Sequence, residues 1–387
     1  NTQPDISGGP YILDSWTPDE SQNFHANPTY FDGAPKIPFL VNKVIGDHAV
    51  AVQAIQSGDI DYTYFQGDLF QQIADKSKLQ YKSFSAVSVN FLALNFADPN
   101  NPQPAYDADG KAVAQTPHPL FSDPIVRKAV AMGFDIDQVL LTLGTDGGTP
   151  LVGPVSPTLG WAYANDLQRY PYDPAGALKL LNDDGWTDSD GDGILDKNGV
   201  KLEFTIKYSD ILHHFATSAL IVQSELQNLN QVDPNKPDPS VPSVGFKVNL
   251  DLIEWGSYLN EVYYGQSFDM TAMSNSNANT PDPNDFMTLL DSKQDVPGSG
   301  NNIVSYINPE MDKLIDEART VPGCKQEDRA AIYYKIQQLS HDDVTYDWTY
   351  VPNIFQVANS RVGNFNPGPS WVFYGYPYYI NEWTLGS

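Results

Sequence analysis

Residues 121–144 read FSDPIVRKAVAMGFDIDQVLLTLG. Asp123 stands where a helix N-cap belongs, and Pro124, at the first helical position, sacrifices no hydrogen bond by lacking an amide hydrogen. Val126 and Val130 lie four residues apart and predict one apolar stripe. Asp135 predicts a second cap, with Ile136, Val139, Leu140 and Leu143 forming the stripe of a helix that ends before Gly144. The same chemistry returns at residues 172–186, YDPAGALKLLNDDGW, where Asp173 caps, Pro174 opens, Leu178 and Leu181 point inward and Gly185 stops the helix.

Working outward, strand-like and helix-like stretches alternate, which predicts an α/β fold. A helix is expected from about Asp47 to Ser57, with Val50, Ala54 and Ile55 on one face and Gly58 as its stop, followed by the strand-like IDYTY. Phe215, Ala219, Val222, Leu226 and Leu229 recur at spacings of four and three, so that helix has a narrow buried face. FKVNLDLIEW alternates like a half-buried strand, and FDMTAM reads as another. Late helices are expected at NPEMDKLIDEA, capped by Asn308, and at QEDRAAIYYKIQQLS, where Ile332, Ile336 and Leu339 share a face. QVDPNKPDPSVPS reads as a polar, proline-rich surface loop.

The chain has 387 residues, 41% of them hydrophobic and 18% charged, a composition that builds a core and excludes general disorder. Twenty-two basic against 48 acidic residues give a formal charge of −26, which repels nucleic acid and anionic lipid. The single cysteine, Cys324, excludes an intrachain disulfide. No stretch approaches the ~18 apolar residues of a membrane span. H-E-x-x-H, G-x-S-x-G and the phosphate-cradling G-x-x-x-x-G-K-[ST] are all absent. His213 and His214 are adjacent on an expected helix and diverge by about 100°, so they make a poor joint metal site and read as a solvent-exposed pair. An enzyme of the glycoside hydrolase type is the alternative, but no acid/base pair among the 48 carboxylates can be singled out.

ISGGPYILDSW, HAVAVQAIQSGDIDYT, FLALNF, SDPIVRKAVAMGFDIDQVL, YDPAGALKLLNDDGW, LIEWGSYL and TPDPNDF stand in an order that resembles the dipeptide/oligopeptide-binding family of extracellular solute-binding proteins (family 5) of ABC importers. The resemblance covers nearly the whole chain. It implies a periplasmic-binding-protein-like, two-lobed α/β fold of type II-like character, with a solute enclosed between lobes and no enzymatic activity. On that basis residues 1–89 and 356–387 are expected in one discontinuous lobe and 90–355 in the other. The implied partners are a peptide or oligosaccharide solute and the membrane subunits of an ABC permease. The implied location is extracytoplasmic, in the periplasm or at the cell surface, tethered to the membrane as a lipoprotein. Family members carry a long portion before the ISGGPY-like motif, so this is expected to be an N-terminally truncated chain whose first lobe is partial and whose export signal lies upstream.

A cleft for a small solute needs flat apolar faces and a few directed polar groups. Asn275, Asn277 and Asn279 follow an expected strand and offer donor and acceptor together, although a loop using asparagine for its turns would look the same. Asp282 lies three residues beyond Asn279. Peptide-binding members place an acid in this loop to pair with the ligand's amino group, and the resemblance puts Asn279 there. That substitution favours a hydroxyl-rich solute or a peptide held through its backbone. Candidate aromatic contacts are Trp161, Tyr163, Trp255, Tyr258, Trp348, Tyr350 and Trp371, each of which can equally be core.

No cofactor is required for such a function. DSDGDGILDKNG nevertheless places Asp188, Asp190, Asp192, the Ile194 carbonyl and Asp196 at the positions of a calcium loop, so a structural calcium is a candidate. Gly199 occupies the place where such a loop wants a bidentate glutamate, which leaves a glycine- and aspartate-rich hairpin as the competing reading.

Overall fold

In the computed structural model, which describes residues 8–144, 147–209, 213–276, 282–368 and 377–386, Asp123 accepts from the Ile125 amide at 2.8 Å and opens the helix Pro124–Gly133. Asp173 accepts from Gly176 at 2.8 Å and opens Pro174–Asp183. Asp135 accepts from the Asp137 amide at 2.9 Å beside the helix Ile136–Thr142. The chain divides into two compact units: Asn1–Ala86, Leu143–Gly148 and Pro352–Ser387 form one, and Val87–Thr142 with Thr149–Val351 form the other.

The second unit is built on a five-stranded sheet in the order Lys247–Leu252, Glu203–Tyr208, Met270–Asn275, Val89–Leu94, Tyr346–Trp348. The first three strands run parallel, and Val89–Leu94 is antiparallel to both its neighbours. Every residue of Val89–Leu94 is buried, and its FLAL stretch, residues 91–94, is accordingly apolar throughout and does not alternate. The edge strand Lys247–Leu252 buries Val248 but leaves Leu252 54% exposed, so its alternation only partly predicts an inner face. The helix His213–Leu226 packs on this sheet through Phe215, Ala219, Val222 and Leu226, as the spacing predicts. His214 on the same helix is buried, with Nε2 3.1 Å from Asn90 Oδ1. That corrects the expectation of a solvent-exposed histidine: the helix turns this ring toward the sheet.

Polar side chains brace this core. Arg127, buried in the middle of SDPIVRKAV, donates to the carbonyls of Phe121 at 2.8 Å and Asp343 at 2.9 Å and lies over the Phe96 ring. Burial pushes its guanidinium down to about 10. His118 Nδ1 accepts from the Leu120 and Phe121 amides at 3.0 Å, so the ring proton sits on Nε2 and is donated to Asp269 at 3.1 Å.

In the first unit, Tyr11–Thr17, Ser21–Ala26 and Phe39–Lys43 form an antiparallel meander. A second sheet sets Tyr350–Asn359 between Tyr62–Gln66 and Leu79–Ser85. The helix His48–Ser57 is capped by Asp47 and ends at Gly58, whose φ of 84° is a left-handed conformation natural to glycine. Its buried face is Ala51, Val52 and Ile55, and Val50 is half exposed. The expected face is therefore rotated by one position. Phe70 stacks on Phe355 at 4.2 Å at the centre of this core. In the second unit, the helix Gln326–Asp343 buries Tyr333, Ile336, Gln337 and Ser340, with Ile332 and Leu339 only half-buried at the borders of that face.

Candidate functional site

The helix Pro309–Thr320, capped by Asn308, and the helix Gln326–Asp343 pack together. Arg329 and Tyr333 lie one turn apart on the second of them and face the same way. Arg329 grips Asp282 with both ends of its guanidinium, at 2.6 Å and 2.9 Å, and donates to the Tyr333 hydroxyl at 2.6 Å. Its guanidinium also lies over the rings of Trp161, at 5.4 Å, and Tyr333, at 5.3 Å. Trp161 meets Tyr333 edge to face at 5.8 Å. Partial burial works against ionisation of Asp282, but the Arg329 hydrogen bonds, joined by the Asn284 amide and the guanidinium charge, together outweigh it and hold the carboxyl below the usual range. The same bonds raise the guanidinium. Burial, reinforced by the Asp282 charge, pushes the Tyr333 phenol up to about 12. Asp282 is thus a neutralised carboxylate on an aromatic platform, a different thing from a free acid.

Trp255 opens the short helix Trp255–Tyr258, whose Glu254 cap accepts from the Gly256 amide at 2.8 Å. Those backbone donors lower the Glu254 carboxyl. Trp255 is half-buried and stacks on Tyr258 at 5.4 Å. Tyr258 is fully buried, and its hydroxyl reaches Thr271 Oγ1 at 2.8 Å and the Ala272 carbonyl at 3.1 Å. Trp348 is 3% exposed and donates Nε1–H to Ser340 Oγ at 3.0 Å. Tyr350 is 1% exposed, beside His214. These three aromatics are packed into the core. Tyr163 is half-buried, and desolvation raises its phenol against the opposing charge of Arg169. Asn275 ends the strand Met270–Asn275, opposite Val89, and is buried. Asn277, Asn279 and Trp371 lie outside the described residues.

The Asp188, Asp190 and Asp192 carboxylates lie within 4.8 Å of one another. Lys201 Nζ bridges two of them, bonding Asp190 at 2.9 Å and also Asp192. Asp188 accepts from the Gly191 and Gly193 amides, and the Ile194 amide donates to Asp192 at 3.0 Å. Asp196 is turned to Ser189, whose amide lies at 3.0 Å, and its strand Asp196–Lys197 pairs with Val200–Lys201 across Asn198 and Gly199, both at positive φ. Three expected calcium donors therefore come together, while Asp196 is engaged elsewhere and a lysine supplies the positive charge.

Two arginines were not legible as site residues. Arg329 sits in a stretch read only for its apolar stripe, and the one available signal is a base on the buried side of that stripe. Arg169 pairs with the buried Asp347 at 2.9 Å and donates to the Leu151 carbonyl at 3.0 Å. Arg169 and Asp347 border a cavity of about 30 Å³ that Tyr170, His341, Tyr346 and Trp348 also line. That is room for a water or two, far below the ~300 Å³ at which ligand pockets begin.

The parallel core of the sheet, with its flanking helices, defines an α/β fold of the periplasmic-binding-protein-like class. AppA of Bacillus subtilis in complex with a nonapeptide superposes with a TM-score of 0.74, over 98% of this chain and 66% of that one, at 24% identity. NikZ of Campylobacter jejuni in complex with Ni(L-His) gives a TM-score of 0.76 over 99% and 69%, at 19% identity. Residues 2–298 match the bacterial extracellular solute-binding proteins, family 5 (Middle), and the chain belongs to that family. By sequence it is 26% identical over 390 residues to oligopeptide-binding protein AppA of B. subtilis, covering 100% of this chain and 63% of that protein. It is also 26% identical over 376 residues to probable di/tripeptide-binding protein 5 of Pseudomonas aeruginosa, covering 95% and 60%. The chain thus spans about three fifths of the length of these relatives. None of its described helices is long and apolar enough to cross a membrane.

Proposed function

We propose that this chain is the greater part of an extracytoplasmic solute-binding component of an ABC importer, which captures a peptide and passes it unchanged to permease subunits. Membership of solute-binding family 5 carries the proposal, and the naming of its relatives for oligopeptides and di/tripeptides favours a peptide over an oligosaccharide. The lobes are proposed as residues 1–89 with 356–387, and 90–355. Trp161, Tyr163, Trp255, Asn275, Asn277 and Asn279 are the side chains proposed to serve the solute. A thermal-shift screen of dipeptides to nonapeptides beside oligosaccharides, with mass spectrometry of the recovered solute, tests the function. Peptides should raise the melting temperature and be recovered intact. Stabilisation by sugars alone, or cleavage of the solute, would sink it.

The peptide is proposed to be held through its backbone and not by an ion pair at its amino end. Asp282, the nearest acid of the TPDPNDF motif, has both carboxylate oxygens on Arg329, which supports that reading. N-acetylated and free-amino forms of one peptide should then bind within about fivefold of each other, a difference of ~1 kcal/mol. Calorimetry showing a loss of a hundredfold or more on acetylation would refute backbone recognition while leaving peptide transport standing. The Asp188–Asp196 loop is proposed to owe its charge balance to Lys201 and not to a calcium ion.

A further inference from the structure

We propose that Glu225 is an acid-operated clasp: protonated, it fastens the proline-rich loop of residues 231–243 to the start of the helix Ile136–Thr142, and ionised, it favours their release. Glu225 lies one residue from the end of the helix His213–Leu226 and has no solvent exposure. Three separate segments converge on its carboxyl. The Asp135 amide donates to Oε2 at 2.7 Å, and Asn235 of the loop donates to Oε1 at 2.6 Å. The Tyr172 side chain, just before the helix Pro174–Asp183, lies beside it as the third. Just past the same helix end, Asn228 donates to the Pro234 carbonyl at 3.3 Å, and within the loop Gln231 donates to the Val241 carbonyl at 2.9 Å. Its outer surface is open to solvent, and Val232 is fully exposed.

The loop's one base, Lys236, is exposed and turned to Asp233 at 3.8 Å, and the charged groups that oppose this carboxyl are acids. Asp135 opposes its ionisation directly, and Asp233 of the loop adds its charge at Tyr172. Burial comes first and Asp135 adds to it, and together they outweigh the donors and push the Glu225 carboxyl up to about 7. Lifting the loop lets water reach the carboxyl and returns it toward the ordinary glutamate range near ~4.3. Closing the loop therefore takes up a proton anywhere between those two values, and the closed form gains on the open one as pH falls.

Hydrogen–deuterium exchange of peptides spanning residues 231–243, corrected for the intrinsic pH dependence of exchange, reads this equilibrium. Wild-type protection should fall by about tenfold or more between pH ~5 and ~8. Glu225→Gln, which keeps the shape and cannot ionise, should show a flat profile. Equal profiles in the two proteins, or protection that rises with pH, would overturn the clasp. Should the variant fail to fold, carbon-13 NMR of the wild-type Glu225 carboxyl decides the matter. A midpoint near 7 shared by loop amides supports the clasp, and one below about 5.5 excludes it.

Discussion

At the scale of single residues, the Asp282–Arg329 pair decides how the candidate site treats charge. Residues 47 apart in sequence meet in bidentate geometry, on a platform made by Trp161 and Tyr333. Replacing Arg329 with Met keeps the stem and removes both donors, leaving a partly buried carboxylate with the Asn284 amide at 2.9 Å and the Tyr333 hydroxyl at 3.5 Å as its remaining partners. Breaking a fully buried pair costs ~3–5 kcal/mol, and solvent access to Asp282 reduces that here to about 1–2 kcal/mol. The pH dependence has a definite sign. The carboxyl is depressed in the folded state, so the pair's stability is present above the ordinary carboxylate range and is lost as pH falls through the depressed value. Arg329→Met should therefore be less stable than wild type in urea at neutral pH, with the gap closing toward pH ~3. Equal stability at neutral pH would show that the pair contributes nothing.

At the scale of elements, what could be read was local. Asp123, Asp173 and Asn308 cap their helices as the sequence predicts, because a cap and its amide partner lie within three residues of each other. The Phe215–Leu226 stripe was legible for the same reason. The face of His48–Ser57 and the burial of His214 were not, because the surrounding packing, and not the helix itself, selects which side turns inward. Partners across long separations, such as Arg169 with Asp347, leave no spacing in the sequence to find. The Asp188–Asp196 loop lies between these cases: its spacing suggests calcium, but Lys201, on the far strand of the hairpin, changes the charge balance. Lys201→Ala removes the internal cation, so millimolar calcium should raise the melting temperature of this variant more than that of wild type. An equal shift in both, measured against a chelator control, would show that the lysine does not compete with the ion.

For the whole molecule, the acidic surplus and the buried acids act in the same direction. The formal charge of −26 makes each further ionisation costlier in the folded state. Asp295, fully buried, accepts from Gln115 at 2.6 Å, Gln266 at 3.2 Å and Ser305 at 3.2 Å, yet desolvation prevails and pushes it up to about 6. Glu225 stands at about 7. A carboxyl raised in the folded state binds its proton more tightly there than in the unfolded chain. Its contribution is complete below the unfolded value, near ~4, and is lost as pH rises through the folded one. Asp282 and the hairpin acids Asp192 and Asp196, all lowered, work the other way at more acid pH. Stability should therefore peak on the acid side of neutrality, between about pH 4.5 and 6, and fall toward pH 8, with Glu225 and Asp295 each responsible for on the order of 2–3 kcal/mol. Urea unfolding at pH ~5 and ~8 in matched salt measures this, and Asp295→Asn, which keeps an acceptor and cannot ionise, should flatten part of the slope. A midpoint that rises from pH ~5 to ~8 would mean that the native state ionises these acids as readily as the unfolded chain does.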